Sequence, residues 1–251
     1  MLHLRAVSIK GVESVISVIC CYNKSLEYER LLASLNRQDT AFEMVAVDNT
    51  GRKFSCAADA LNWGAQRAAG EVLVFLHQDV RFLRPDSLRK LTAALRLCEN
   101  RPCIVGPYGA AHCQRSTVGG CIVQESLDEC CIAMTKSTWE KFPFDAALCD
   151  GWHLYAVELC IRVRQAGGLI LSDDFGMEHT STGTVDKAYM ATFKELLKRY
   201  KDEKWISTTC KSMPTNLLYF HAYYVLWKIK KCLLGNYNLS YKIKSLLKRR
   251  N

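Results

Sequence analysis

A chain of 251 residues, 49% of them apolar, suits one large α/β domain or one domain plus an appendage. Its net charge of +9 is unevenly placed: 13 Lys and Arg lie from Lys198 onward against only Asp202 and Glu203, while the first 197 residues carry a net −2. No apolar run approaches the roughly 18–20 residues needed to span a bilayer, which excludes an integral membrane bundle.

Val15 to Cys21 is a continuous apolar run closed by Tyr22-Asn23 and predicts a buried strand. An amphipathic helix over 26–37 follows, with Leu31, Leu32 and Leu35 on one stripe. Glu43 to Val47 predicts a second strand, ending at Asp48-Asn49-Thr50-Gly51. A small-residue helix over 57–69 stops at Gly70. The run Val72 to Leu76 then breaks off at His77-Gln78-Asp79. Pro85 suits the first turn of a helix reaching about Cys98. Strand, helix, strand, helix, strand within 80 residues argues for a doubly wound, mostly parallel sheet.

Ile104 to Gly120 holds four Gly and one Pro and predicts a long loop or hairpin. Cys130 to Met134 and Leu169 to Leu171 are short strand candidates. Helices are expected over 152–165, stopped by Gly167-Gly168, and over 186–204. Two basic tail helices follow, about 216–234 and 239–249.

The 13 cysteines are odd in number, show no C-x-x-C and sit largely in apolar runs. They read as reduced thiols of a cytosolic protein rather than a disulfide or zinc framework. The amino terminus lacks the apolar core of a signal peptide.

Polar groups just past the carboxyl ends of parallel strands lie where open α/β sheets bind ligands. Tyr22-Asn23, Asp48-Asn49, N-x-G from Asn62, G-E at Gly70 and F-L-x-x-D ending at Asp79 occur in that order. With the later segment FDAALCDGWHLYAVELCIRVRQAGG and His179, this set resembles family-2 glycosyltransferases of GT-A fold, over about residues 14–184. The subgroup it resembles carries H-Q-D and W-H-x-Y. The resemblance implies a domain over 1–204, with a nucleotide-binding half at about 14–106 and an acceptor half at about 107–184. The basic helical tail covers 205–251. It further implies inverting, metal-assisted sugar transfer from a nucleotide-diphosphate donor at a cytosol-facing site.

On that resemblance Tyr22, Asn23, Asp48, Asn62, His77 and Gln78 line the donor nucleotide. Taken alone, Asp48-Asn49-Thr50-Gly51 is an Asx-type turn. Asp79 is the standard carboxylate ligand of the motif, His77 stands where a first acid is usual, and His179 matches the third ligand. A mixed imidazole and carboxylate set tolerates Mn2+ as well as Mg2+, and such a cation stabilises the leaving diphosphate. As lone residues, His77 is a polar strand end and His179 a loop histidine.

An acceptor hydroxyl needs a general base within hydrogen-bond reach. The family's acidic pair aligns here with Tyr155-Ala156, and alanine cannot serve. Asp150 is the first replacement, otherwise a helix N-cap; His153 is the second. Glu158 has a structural partner in Arg162 four residues on. Trp152 and Tyr155 offer flat faces for an acceptor sugar, or ordinary core packing.

In the tail, Leu217, Leu218, Phe220, Tyr223, Tyr224, Leu226 and Trp227 are interleaved with Lys228, Lys230 and Lys231. Basic amphipathic helices of this kind read as membrane-surface elements, and a lipid-linked or glycan acceptor fits that placement. No nucleic-acid motif accompanies the charge, so nucleic acid is not expected as a partner. The chain is expected at the inner face of the cell membrane.

Overall fold

The computed structural model describes residues 16–98, 101–112, 116–181 and 183–233. The chain begins β1 (Ile16–Tyr22), α1 (Ser25–Leu35), β2 (Phe42–Asp48), α2 (Ala57–Ala65) and β3 (Val72–His77), as the sequence periodicity predicts. β4 (Val80–Phe82) follows at once, then α3 (Ser87–Leu95), which ends in a 3-10 turn at Arg96–Cys98. Pro85 lies ahead of the N-cap Asp86 rather than in the first turn. The glycine-rich stretch folds into β5 (Cys103–Gly106), β6 (Gly109–Ala110) and β7 (Thr117–Val118). Next come β8 (Cys121–Val123), β9 (Ser126–Leu127), β10 (Cys131–Thr135) and α4 (Lys136–Lys141). The last elements are α5 (Tyr155–Gln165), β11 (Leu169–Ser172), β12 (Met177–His179), α6 (Lys187–Arg199), β13 (Trp205–Ile206), β14 (Met213–Pro214) and α7 (Leu217–Leu233).

Eight strands form one sheet in the order β2-β1-β3-β10-β5-β11-β8-β7. β1 is parallel to β2 and β3, and β5 is parallel to β11. β10 lies antiparallel between β3 and β5, and β8 runs against β11 and β7. Six strands therefore run one way and two the other, giving the mixed, mostly parallel sheet expected. Parallel strands covered on both faces read as continuous apolar runs. Ile19, Leu73, Phe75 and Ile132 pack towards α2 and α5 on one face. Val18, Cys20, Val74 and Ala133 pack towards α1 and α3 on the other. The small residues of α2 let it lie close to the sheet: a Cβ at Gly64 would stand 2.6 Å from Cγ2 of Ile19.

Two departures from the sequence reading matter. The helix expected from 152 begins only at Tyr155, because Leu154 sits in the left-handed region at φ 66°. Asp150, Trp152 and His153 therefore stand on a turn ahead of the helix. The expectation of uniformly reduced thiols also fails at one pair: Cys98 and Cys103 form a disulfide, while nine other described cysteines are free.

The first tail helix, α7, packs Phe220, Tyr223, Tyr224 and Trp227 onto α6 and the start of α5. Its opposite face carries exposed Leu218, Val225, Leu226 and Ile229. The second tail helix expected at 239–249 lies outside the described residues, as does the amino terminus up to residue 15. Among the described residues, no helix is long and apolar enough to cross a membrane.

Candidate active site

Strand register builds the site. Tyr22 pairs with Asp48, and Cys21 with His77, so the carboxyl ends of β1, β2 and β3 finish level on one edge. A cleft of about 170 Å³ opens there, with Tyr22, Asn23, His77, Gln78 and Asp79 along one wall and Trp152 and Tyr155 along another. Gln78 clasps the end of β1: its Oε1 accepts from the amides of Asn23 and Lys24, and its Nε2 donates to Asn23 Oδ1 at 2.9 Å. Tyr22 stacks on Tyr28 with ring centroids 4.1 Å apart.

Asp48 forms the Asx turn that its sequence context predicts. Its Oδ1 accepts from the Thr50 amide at 2.8 Å and hydroxyl at 2.7 Å, and these bonds hold the carboxyl below its ordinary range. Asn62, like Asp48, lies outside the cleft lining. Its amide donates to Phe144 O and accepts from Trp139 Nε1 and Phe144 N, fastening α2 to the segment around α4.

At the end of β3 the chain turns into β4, and β12 pairs antiparallel with β4 so that His179 lies opposite Val80. His77, Asp79 and His179 thereby bring one ligand atom each within 4.8 Å of one another. Two nitrogens and a carboxylate oxygen in that compass suit a divalent ion of the Mn2+ or Mg2+ kind. His179 Nε2 stands 3.3 Å from Asp79 Oδ1. That contact raises the His179 pKa against its burial. Burial pushes the Asp79 carboxyl up, but hydrogen bonds from His179 and Ser181 outweigh it and hold the carboxyl well below its usual range. His77 is driven down, first by burial and then by His179, and so stays neutral. Its Nε2 lies 2.8 Å from Tyr155 Oη, which in turn donates to Glu129 O at 3.4 Å. This contact to Tyr155 fixes the orientation of the His77 ring beside Asp79 and His179.

The acceptor side lacks the expected acids. Ala156 is fully buried, and Tyr155 is 2% exposed beneath the cleft. Trp152 lines the cleft and is 43% exposed. Neither Asp150 nor His153 lines the cleft. Asp150 is exposed on the turn, and His153 faces Asp186 at 3.5 Å and the Tyr189 ring. Glu158 is buried in a two-pronged pair with Arg162 and also accepts from Tyr200 Oη.

Sequence reasoning missed Asp128 and Glu129. β10 runs antiparallel to β3, so its amino end shares the site edge, and His77 N donates to Cys130 O at 2.9 Å. Asp128 Oδ1 accepts from Cys130 N and its Oδ2 from Thr209 Oγ1 at 2.7 Å. Asp128 and Cys130 bring ligand atoms within 4.8 Å of His179 as well, so His179 stands between two groups of possible ligands, of which the His77 and Asp79 group opens on the cleft. Glu129 Oε1 accepts from Leu154 N at 2.5 Å. Burial, and then the charge of Asp128, push the Glu129 carboxyl up to about 8. The one available signal was an Asp-Glu pair directly ahead of an apolar strand.

Solved structures with the same fold are glycosyltransferases. S. aureus TarS (residues 1–349) superposes with a TM-score of 0.51 at 15% identity, over 74% of this chain and 64% of that one. GalNAc-T7 with UDP, GalNAc and Mn2+ gives 0.58 at 13%, over 75% of this chain and half of that one. Mannosyltransferase PcManGT from Pyrobaculum calidifontis, in complex with GDP-Man and Mn2+, gives 0.57 at 14%, over 92% and 79%. At these identities the likeness is one of fold. No protein-family model and no curated protein matches the sequence.

Proposed function

We propose that the protein is an inverting glycosyltransferase that moves a sugar from a nucleotide-diphosphate donor, a UDP-sugar in the first instance, to a glycan or lipid-linked acceptor. The observation that carries this reading is that His77, Asp79 and His179 bring ligand atoms together at the cleft that His77 and Asp79 line with Tyr22 and Asn23, with Asp48 level with Tyr22 on the neighbouring strand. The base and ribose lie against Tyr22 and Asp48, which leaves the diphosphate at Asp79. A divalent ion held by His77, Asp79 and His179, Mn2+ or Mg2+, supplies Lewis-acid stabilisation of the leaving diphosphate. Trp152 offers a flat face to the acceptor. Support comes also from the fold shared with glycosyltransferases that bind UDP and GDP-Man.

The outward apolar row of α7, with Lys228 and Lys230 beside it, supports docking on an anionic membrane surface. That placement suits a lipid-linked acceptor and a site at the inner face of the cell membrane.

The buried Ala156 favours one rival, a sugar-nucleotide-binding relative without turnover. A thermal-shift screen of UDP, GDP, dTDP and CDP, each with and without Mn2+, tests the donor reading. A nucleotide shift that Mn2+ enlarges, and that Asp79→Ala abolishes, is expected. No shift with any nucleotide would sink it.

A further inference from the structure

The glycosyltransferase reading leaves a gap: the helix that should carry a base offers only Tyr155 and Ala156. We propose that Glu129, delivered by the loop ahead of β10, is the catalytic base that takes the proton of the acceptor hydroxyl. This inference rests on the donor-site reading above. Its step balances as follows. The acceptor O–H proton passes to Glu129 Oε2, and the oxygen's electron pair forms the new bond at the anomeric carbon. The anomeric C–O bond to the diphosphate breaks with its electrons on the leaving oxygen, and the configuration inverts.

Position argues first. Glu129 lies directly behind the cleft residue Tyr155, whose Oη bridges the Glu129 backbone carbonyl and His77 Nε2. Its carboxyl points at the amino end of α5, where Oε1 accepts the Leu154 amide. That is the end of the helix at which the resemblance places the missing acids. Among the described residues its carboxyl accepts only from backbone amides, those of Leu154 and of Glu129 itself, and the residue is half-buried.

The competing carboxylates are committed elsewhere. Asp128 has both oxygens bonded, Glu158 is locked by Arg162 and Tyr200, and Asp79 faces His179. The titratable groups facing Glu129 are Asp128 beside it, Tyr155 and Cys160 on α5, and Cys149 ahead of α5. Cys130 on its other side, Tyr189 on α6 and Cys210 between β13 and β14 complete the set among the described residues. None is a cation, and among the described residues no ion pair forms on Glu129. Adjacent carboxyls pushed apart in this way, Asp128 down and Glu129 up to about 8, mark an acid–base assignment.

Water can replace the acceptor, so donor hydrolysis by the full chain tests the step. UDP-GlcNAc, UDP-galactose and GDP-mannose with Mn2+ are the probes, with thermal shift reading binding and nucleotide release reading turnover from pH 5.5 to 9.5. Glu129→Gln keeps an acceptor for Leu154 N while removing the basic oxygen. Expected is an unchanged donor-induced shift with turnover reduced about 10²–10⁴-fold. The wild-type rate should rise with a half-point near pH 8, and that inflection should vanish in the Gln variant. Glu129→Asp should recover part of the rate. A Gln variant within threefold of wild type, with the same inflection, overturns the assignment and leaves the glycosyltransferase reading standing. Donor bound but never cleaved by the wild-type chain also overturns it. No donor bound at all overturns the underlying reading instead.

Discussion

Holding a carboxyl at about 8 inside the fold has a thermodynamic signature independent of any substrate. Below pH 4.5 Glu129 is protonated in both folded and unfolded chains and costs nothing. Between 4.5 and about 8 the unfolded chain ionises while the folded chain keeps its proton, so stability falls as pH rises. Above that range both states are ionised and the loss levels off. Each pH unit in the window costs about 1.4 kcal/mol. At pH 7 the carboxyl therefore destabilises the fold by about 3.4 kcal/mol at most, and by about 2 kcal/mol once the residue's partial exposure is allowed for. Glu129→Gln does not titrate. Its stability relative to wild type should rise by about 2 kcal/mol between pH 5 and pH 7, or roughly 4–8 °C in Tm for a chain of this size. Urea unfolding followed by tryptophan fluorescence at the two pH values reads it directly. Parallel pH dependences for the two proteins would show that Glu129 ionises normally in the fold and refute the reasoning.

His179 must shed its proton to ligate a cation, and its contact with Asp79 raises its pKa. Mn2+ affinity, measured by calorimetry, should therefore fall about tenfold per pH unit below neutrality, and His179→Ala should bind weakly with a flatter profile. Conversely, without cation the His179–Asp79 pair stabilises the fold only while His179 stays protonated and Asp79 ionised. Its contribution is lost as pH rises through the raised His179 value, and again as pH falls through the lowered Asp79 value. Gly64→Ala should destabilise by about 1–2 kcal/mol in urea despite alanine's better helix propensity, since its Cβ collides with the buried Ile19. Val225→Asp with Leu226→Asp, both on exposed positions of α7, should weaken sedimentation with anionic vesicles at least several-fold while leaving the melting temperature within about 2 °C.

Strands buried on both faces announce themselves as unbroken apolar runs, and so β1, β3 and β10 were legible within a residue or two. The strands between Gly109 and Leu127 were not. Each spans only two or three residues and exists through its partner, as Thr117 does through Ile122 and Gly109 through Leu127. The same distinction divides the site. For a parallel strand, residues after its last apolar position stand at the ligand edge, so Tyr22, Asp48 and Asp79 could be located from chain order alone. For an antiparallel strand the ligand edge is at the other end. Nothing local to Cys131–Thr135 states its direction; that follows from its insertion between β3 and β5, a long-range pairing. Only with that direction known does Glu129, ahead of β10, move from an unremarked position to the edge where His77 ends. Leu154 adds a second hidden step. A bulky residue at φ 66° costs roughly 1–2 kcal/mol, and its amide donates to Glu129 Oε1. The left-handed turn at Leu154 thus delays the start of α5 and takes Asp150 and His153 off the helix, while the Glu129 carboxyl, brought in by a strand far away in sequence, lies against that same amino end.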